Sequence, residues 1–341
     1  MRAAVYYRND DIRLEKVPNP EIGPGELLLK VSMCGICGSD VMEWYRIRKA
    51  PRVLGHEVVG IVCEVGEGVE GYRLGDRVFV SHHVPCDDCR YCLRGEHTVC
   101  ETLHSTNIDP GGFAEYARVP RINMERGVFL LPEEMTDEEG VFIEPLGCVL
   151  RGQDKLGICP GDTVLVLGSG VSGILHIQLA RSKGATKVLA TDINESRLGY
   201  ARRFGCDAAI DAMEDVPGLV RELNGGNGAD HVIVSTAALP AIEQGIRSVD
   251  AGGRVLLFAP APPGVVLPLD LNDLWSRQVT VTTSYAASPD DLAAAIELIR
   301  AGSVDVKGMV THRLGLDEVG VGFKLVEEAG DSLKVIVEPQ K

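Results

Sequence analysis

Four cysteines lie within fifteen residues of one another in this 341-residue chain, and their spacing suits a metal ion. They are Cys86, Cys89, Cys92 and Cys100. Zinc accepts a tetrahedral set of four thiolates, and such a closed set has no position for water, so it stabilises a loop rather than catalysing. The alternative is a redox pair or two disulfides, but no thioredoxin-like βαβ pattern surrounds the motif and nothing suggests export. The spacing therefore predicts a structural zinc.

A second group of potential metal ligands is spread more widely along the chain. Cys37 lies in the stretch MCGICGSD, and His56 and Glu57 lie in GHEVVG. A catalytic zinc takes about three protein ligands and keeps one position open. The candidate for the third is Glu144 in the apolar stretch FIEPLG, because a carboxylate is costly to bury unless it is paired or coordinated. Cys148, four residues later, is the competing donor.

A glycine-rich loop predicts a nucleotide site. The sequence GSGVSG follows the apolar run TVLVL and opens a helical pattern, which is the setting in which the GxGxxG motif is informative. Gly168 would allow the tight turn, Gly170 would let a pyrophosphate approach the backbone, and Gly173 would let helix and strand pack closely. Val171 opens the helix, whose free N–H groups and positive dipole end favour phosphate.

The choice between the two nicotinamide cofactors depends on Asp192, which ends the next predicted strand, KVLATD. Its carboxylate would accept hydrogen bonds from the adenosine ribose hydroxyls and would repel a 2′-phosphate, so the sequence favours NAD over NADP. Arg197 follows shortly after and could weaken that preference. The alternative is that Asp192 is a solvated carboxylate at a strand end.

The elements that must position these residues fall into two patterns. Up to about residue 150, short β-like runs such as ELLLKVSM and DRVFVSHH are separated by Gly and Pro, which suits a barrel-like domain. From Asp162, apolar strands alternate with amphipathic helices, as in a doubly wound parallel sheet. After Tyr285 come one helix and a short β-like tail. We therefore expect an α/β fold with domains at residues 1–150, completed by 287–341, and at 151–286.

Composition and charge narrow the possible partners. The formal net charge is -15, so a nucleic-acid partner, which needs a basic face, is not expected, and an anionic membrane surface is not attracted either. No run of eighteen apolar residues is present, so no membrane span is predicted. The first fifteen residues have no apolar signal core, and we therefore expect a cytoplasmic protein.

The motifs GICGSD, GHE, the four-cysteine segment, GGFAEY, EPL and GSGVSG occur in an order that resembles the zinc-containing medium-chain dehydrogenase/reductase family. The resemblance covers essentially the full length. It implies an N-terminal GroES-like β-barrel catalytic domain and a Rossmann domain. The alcohol dehydrogenase branch uses two cysteines and one histidine for its catalytic zinc. Glu144 stands where that branch has its second cysteine, which resembles the polyol branch of sorbitol- and threonine-dehydrogenase type.

The resemblance also assigns roles to the metal-site residues. It implies that Cys37, His56 and Glu144 bind a catalytic zinc, and that Glu57 is close enough to bind it or to exchange with the substrate oxygen. The four-cysteine set would hold a second, structural zinc. Asp40 would orient a zinc ligand from behind.

The implied reaction is the oxidation of a secondary alcohol to a ketone with NAD as hydride acceptor. Ser39 would take the hydroxyl proton and pass it towards the nicotinamide ribose. Relatives often have a histidine relay at the position of Met42, and methionine cannot carry a proton.

The substrate is less constrained. Glu144 favours a polyol, sugar, cyclitol or amino alcohol. Four side chains either line the pocket or are ordinary loop residues: Trp44, Tyr45, Arg46 and Arg48. With four cysteines present, His82 and His83 are not needed as metal ligands, and they are either solvated, behind the metal ligands, or part of the cleft lining. The alternatives are a simple secondary-alcohol dehydrogenase, a zinc-free quinone reductase, which would lack the metal ligands, and an inactive zinc- and nucleotide-binding relative. The apolar edge strand VTVTTSY and the family resemblance lead us to expect a homodimer or homotetramer.

Overall fold

The computed structural model describes all 341 residues, which form sixteen strands and twelve helices. The strands are β1 (Arg2–Arg8), β2 (Asp11–Lys16), β3 (Leu27–Gly35), β4 (Arg52–Val53), β5 (Glu57–Val65), β6 (Arg77–Ser81), β7 (Tyr116–Val119), β8 (Val128–Leu130), β9 (Thr163–Leu167), β10 (Lys187–Asp192), β11 (Ala208–Asp211), β12 (Ala229–Val234), β13 (Val249–Leu257), β14 (Thr280–Thr283), β15 (Val310–Leu314) and β16 (Lys334–Val337). The helices are α1 (Glu43–Arg46), α2 (Glu101–Ser105), α3 (Arg121–Gly127), α4 (Asp137–Gly140), α5 (Ile143–Asp154), α6 (Val171–Ser182), α7 (Glu195–Arg203), α8 (Val216–Leu223), α9 (Leu239–Ser248), α10 (Leu271–Arg277), α11 (Pro289–Arg300) and α12 (Val319–Glu328).

The chain divides into two compact units. The first unit comprises residues 1–147, 287–300 and 306–341, and the second comprises residues 148–286 and 301–305. No helix of the structure combines the length and the apolar character that crossing a membrane requires.

The first unit is built on two β-sheets. The larger sheet has the strand order β15-β16-β3-β5-β6-β8, with β7 also pairing β3, and the smaller has the order β2-β1-β4. The apolar faces of these strands enclose a core in which the Tyr6 ring lies 5.9 Å from Phe323 and the Phe113 ring 6.2 Å from Phe323. The longest pairing of this unit is the antiparallel one between β3 and β5, which runs from Leu27 opposite Val65 to Gly35 opposite Glu57.

Strand pairing in this sheet brings three distant segments to one place. Gly35, at the end of β3, pairs with Glu57, at the start of β5, in antiparallel register. Ile336 of β16 pairs with the same Gly35 from the other side. The loop after β3, the start of β5 and the start of β16 therefore lie together.

The second unit is a six-stranded sheet with the order β11-β10-β9-β12-β13-β14, and every pairing in it is parallel. All five residues of β9 are buried, as expected for a central strand covered by helices on both faces. The predicted α/β class with a doubly wound parallel sheet is confirmed. The order reverses direction beside β9, where nucleotides bind in such sheets.

Candidate functional site

Three side chains of the first unit come together as a potential metal site. Single ligand atoms of Cys37, His56 and Glu57 all lie within 4.8 Å of one another. The β3–β5 register places them, because Cys37 follows Gly35 by two residues while His56 and Glu57 begin β5. One thiolate, one imidazole and one carboxylate form a donor set that zinc accepts. The residues present therefore fit a metal ion.

The two carboxylates predicted for this metal take different positions. Glu57 supplies the carboxylate of the three-residue group, whereas Glu144 is outside that group. Glu144 lies in the first turn of α5 and is buried, with 8% of its surface exposed. Cys148 follows one turn later on the same helix, half-buried and also outside the group.

Asp40 supports the site from behind. It is fully buried, its Oδ1 lies 3.3 Å from Nδ1 of His56, and its Oδ2 accepts a hydrogen bond from the backbone N–H of Cys37 at 3.1 Å. Burial by itself would raise the pKa of this carboxyl, but His56, Arg46 and the Cys37 N–H together keep the pKa below its ordinary value. An ionised Asp40 that holds Nδ1 leaves Nε2 of His56 for a metal.

Arg46 connects the metal ligands to the predicted proton carrier. Its Nη2 donates to the hydroxyl oxygen of Ser39 at 2.8 Å, its Nε donates to the Ser39 carbonyl at 2.9 Å, and it lies 3.3 Å from Asp40. Its guanidinium also stacks on the Tyr45 ring at 4.8 Å. Sequence reasoning treated Arg46 as a possible pocket residue and missed these contacts, because they depend on how α1 folds back over the loop.

Lys334 is the residue that sequence reasoning missed entirely. Its ammonium pairs with Oε2 of Glu57, and each of the two side chains is only 1% exposed. Burial would lower the pKa of this lysine, but the charges of Glu57 and Cys37 raise it above the ordinary value. The available signal was a lysine inside the otherwise apolar strand LKVIVEP. Its partner lies 277 residues away, so the sequence could not identify it.

Two neighbouring histidines are stacked against the metal group. The His82 ring lies 4.9 Å from the His56 ring and 3.8 Å from the His83 ring. Burial, together with the neighbouring histidines, lowers the pKa of His82 well below its usual range and lowers the pKa of His83 to about 3. Both imidazoles are therefore neutral at pH 7, and they add surface beside the site without adding charge.

The four predicted cysteines also meet. All four sulfurs lie within 4.8 Å of one another, with Cys89 and Cys92 at 3.5 Å and Cys86 and Cys100 at 3.6 Å. These are free thiols rather than disulfides. Burial would raise the pKa of Cys100, but N–H groups of Cys86 and Leu103 directed at its sulfur lower the pKa to about 6. The set fits a closed tetrahedral zinc site.

The glycine-rich loop of the second unit has the geometry that close approach of a phosphate needs. Gly168 has φ +93°, which favours glycine, and a Cβ on Gly173 would overlap the Gly168 carbonyl. Gly170 is the N-cap residue of α6. A Cβ built on Gly170 would have Nη1 of Arg197, 3.8 Å away, as its nearest neighbour, so the space in front of this glycine is open. The Nε of Arg197 is buried without a hydrogen-bond partner. A phosphate-bearing cofactor therefore fits this loop.

Asp192 ties this loop to the end of β10. Its Oδ2 accepts from the Ser169 N–H at 2.8 Å and its Oδ1 accepts from the Asn194 N–H at 2.9 Å, with 7% of the residue exposed. It is therefore a held carboxylate rather than a solvated one. The charge stands next to the glycine-rich loop, as nucleotide recognition requires.

Comparison with known proteins places both parts of the chain in known domain families. Residues 23–132 match the model of the alcohol dehydrogenase GroES-like domain, and residues 172–301 match that of zinc-binding dehydrogenases. L-threonine 3-dehydrogenase of Sinorhizobium medicae (strain WSM419) is 31% identical, covering 99% of this chain and 98% of its own. D-xylulose reductase A of Aspergillus clavatus is also 31% identical, covering 96% of this chain and 93% of its own.

A solved structure is similar over the same extent. It is a zinc-binding dehydrogenase from Sinorhizobium meliloti 1021 bound to NADP, with 32% identity, a TM-score of 0.87 and coverage of 99% of both chains. The likeness over the whole length, together with the metal group and the nucleotide loop, identifies the chain as a member of the zinc-dependent medium-chain dehydrogenase/reductase family.

Proposed function

We propose that this dehydrogenase transfers hydride from a secondary alcohol of polyol, sugar, cyclitol or amino-alcohol type to NAD and releases a ketone. The observation that carries the proposal is the Cys37–His56–Glu57 group with Ser39 beside it, in a chain whose second unit has a nucleotide loop. The relatives support the substrate class, since one is named a threonine 3-dehydrogenase and another a xylulose reductase.

We further propose that Cys37, His56 and Glu144 are the resident ligands of the catalytic zinc and that Glu57 is a reserve carboxylate. When bound, the zinc supplies Lewis-acid chemistry, which lowers the pKa of a substrate hydroxyl. Charge balance supports this division. The two charges of the zinc match one thiolate and the Glu144 carboxylate, while Glu57 is already matched by Lys334.

The chain's own residues then perform the proton transfer. The Ser39 hydroxyl oxygen accepts from Arg46, so its own proton is free to be donated and a lone pair remains for the substrate proton. Proton movement through a positioned hydroxyl is general acid–base catalysis. Since Met42 cannot continue the relay, the proton leaves through Ser39 and solvent or cofactor groups.

NAD is proposed over NADP on the strength of Asp192. Its carboxylate is fixed by two backbone N–H groups beside the glycine-rich loop, where a 2′-phosphate would meet like charge. Nη1 of Arg197 lies 3.8 Å from where a Cβ on Gly170 would stand, and a similar protein of 32% identity binds NADP. The ratio of catalytic efficiencies with the two cofactors is therefore the test.

The experiment for the main proposal combines metal analysis with a substrate screen. The wild type should hold two zinc ions per chain and reduce NAD with polyols, cyclitols or amino alcohols, and chelator should abolish the activity. Cys37→Ser should hold one zinc and be inactive. One zinc in the wild type and no turnover would instead indicate an inactive relative. Turnover confined to unsubstituted secondary alcohols would indicate a simple alcohol dehydrogenase.

Self-association is proposed from the edge of the second unit. Strand β14 ends the parallel sheet, and close to it in sequence Trp275 is 79% exposed and Val266 77% exposed. An apolar region beside an uncovered sheet edge favours pairing with another copy. The expected state is a homodimer or homotetramer. Light scattering after gel filtration tests this, and a monomeric mass would contradict it.

A further inference from the structure

Lys334 and Glu57 form a buried ion pair between two strands of the larger sheet. Both side chains are 1% exposed, and the ammonium contacts Oε2 of Glu57 directly. Removing two full charges from water costs several kcal/mol per ion before their attraction is counted, so such pairs are weak devices for stability. Stability alone therefore does not account for this pair.

The residues around the pair pack closely against it. A Cβ on Gly35 would overlap the Glu57 carboxylate and lie 2.7 Å from the ammonium nitrogen of Lys334. On another side, the ammonium lies 5.7 Å from the centre of the Phe142 ring, within the range of a cation–π contact. Lys334 therefore has little freedom to move away from Glu57.

Glu57 is at the same time a potential metal ligand. One of its oxygens belongs to the group that Cys37 and His56 form within 4.8 Å. The Glu57 carboxylate is thus shared between two positive partners, the ammonium that is present and the metal that the donor set fits. The electrostatic field of Lys334 also reaches Cys37 and Glu144, so the lysine acts on every anionic donor of the site.

We propose that Lys334 is a positioning residue that competes with the bound metal for the Glu57 carboxylate and so keeps the metal's fourth position available to substrate. The inference rests on the proposed function, because it takes Cys37 and His56 as ligands of a catalytic zinc. Without the lysine, Glu57 is an uncompensated buried carboxylate beside a dication, and it closes the coordination sphere.

Lys334→Met should bind its zinc more tightly and yet turn over more slowly. Zinc at this site should be released to a chelator more slowly, by about tenfold or more, while turnover falls by a similar factor. A merely structural role for the ion pair leads to the opposite result for the metal, because a loosened site loses zinc faster. Lys334→Arg keeps the charge and should restore both the release rate and the turnover towards wild type.

The experiment measures zinc release from the zinc-loaded full chain with a colorimetric chelator, and the phase missing from Cys37→Ser is assigned to this site. The cobalt(II)-substituted proteins give a second readout, since an added carboxylate ligand changes the visible ligand-field spectrum in Lys334→Met but not in Lys334→Arg. Lys307→Met is the matched control, because Lys307 is 76% exposed and pairs with Glu139. If Lys334→Met does not fold, Lys334→Gln replaces it.

The release rate and the cobalt spectrum together distinguish the proposal from a merely structural role of the ion pair. Slower release with a changed cobalt spectrum supports the proposal. Faster release, or an unchanged spectrum with wild-type release, overturns it while leaving the proposed function intact. If the wild type itself shows no release phase that depends on Cys37, the proposed function fails first.

Discussion

Arg46 donates from Nη2 to the hydroxyl oxygen of Ser39 at 2.8 Å and from Nε to the carbonyl of the same residue at 2.9 Å. The guanidinium therefore fixes both the position and the polarity of the hydroxyl, which accepts from Arg46 and must donate its own proton elsewhere. The same side chain lies 3.3 Å from Asp40, the carboxylate behind His56. One arginine thus connects the predicted proton carrier with the predicted metal ligands.

Ser39→Ala should lower turnover by about a hundred- to ten-thousand-fold, because it removes the general acid–base hydroxyl. Zinc content should stay at the wild-type value, since Ser39 is not in the Cys37–His56–Glu57 group. Steady-state kinetics and metal analysis of the same preparation check both expectations. Unchanged turnover would refute the role of Ser39.

Arg46→Met should lower turnover by about tenfold or more, as the loss of a charge-assisted hydrogen bond predicts. In a Ser39→Ala background the same change should have a smaller effect, because its main partner is already gone. A double-mutant cycle on turnover measures this coupling. Arg48→Met, at an exposed arginine two residues away, is the matched control. Full additivity of Arg46→Met and Ser39→Ala would show that Arg46 acts independently of Ser39.

Cys92→Ser should remove one zinc per chain and lower the thermal stability of the protein, because Cys92 is one of the four clustered sulfurs. The zinc that depends on Cys37 should remain. Metal analysis and thermal unfolding measure the two effects. Cys206→Ser, at a half-buried cysteine outside both groups, is the control and should keep two zinc ions. Full zinc content in Cys92→Ser would argue against the structural site.

Asp192→Asn should shift the cofactor preference towards NADP by about tenfold or more. The amide oxygen can still accept a hydrogen bond, but the charge that would repel a 2′-phosphate is lost, and like-charge contacts cost several kcal/mol. The ratio of kcat/KM with NAD to that with NADP measures the shift. Asp211→Asn is a matched control, because Asp211 ends the neighbouring strand in register with Asp192. An unmoved ratio would remove Asp192 from cofactor selection.

His176→Gln should make the chain less sensitive to acid. His176 is fully buried in α6, where Nε2 of Gln153 lies 3.2 Å from its Nδ1, and burial lowers its pKa to about 3. The unfolded chain therefore binds the proton first as the pH falls below about 6.5. The resulting loss in the free energy of unfolding is zero well above that pH and reaches about 2 kcal/mol at pH 5.

Denaturant unfolding at pH 7 and pH 5 measures this effect as a difference between variant and wild type, so that other titrating groups cancel. Between pH 7 and pH 5, the free energy of unfolding of the wild type should fall by about 2 kcal/mol more than that of the variant. His104→Gln makes the same change at an exposed position. Equal acid sensitivity of wild type and His176→Gln would contradict the buried, neutral state of His176.

The features that the sequence by itself determined are those whose physics is local. The four cysteines fall within fifteen residues, and the GSGVSG turn joins one strand to the next helix, so spacing alone predicted their geometry. Strand–helix alternation after Asp162 predicted the parallel sheet, because continuous apolar strands need cover on both faces.

Tertiary structure decided the parts that depend on distant pairing. Lys334 reaches Glu57 only because β16 and β5 flank the same strand, β3, across 277 residues of chain. The pairing of Gly35 with Glu57 likewise brings Cys37 to His56 and Glu57, because β-sheet register sets which distant residues meet. The type of a lysine or a glutamate does not determine which residue it pairs with, so only the folded chain shows how the buried charges are balanced.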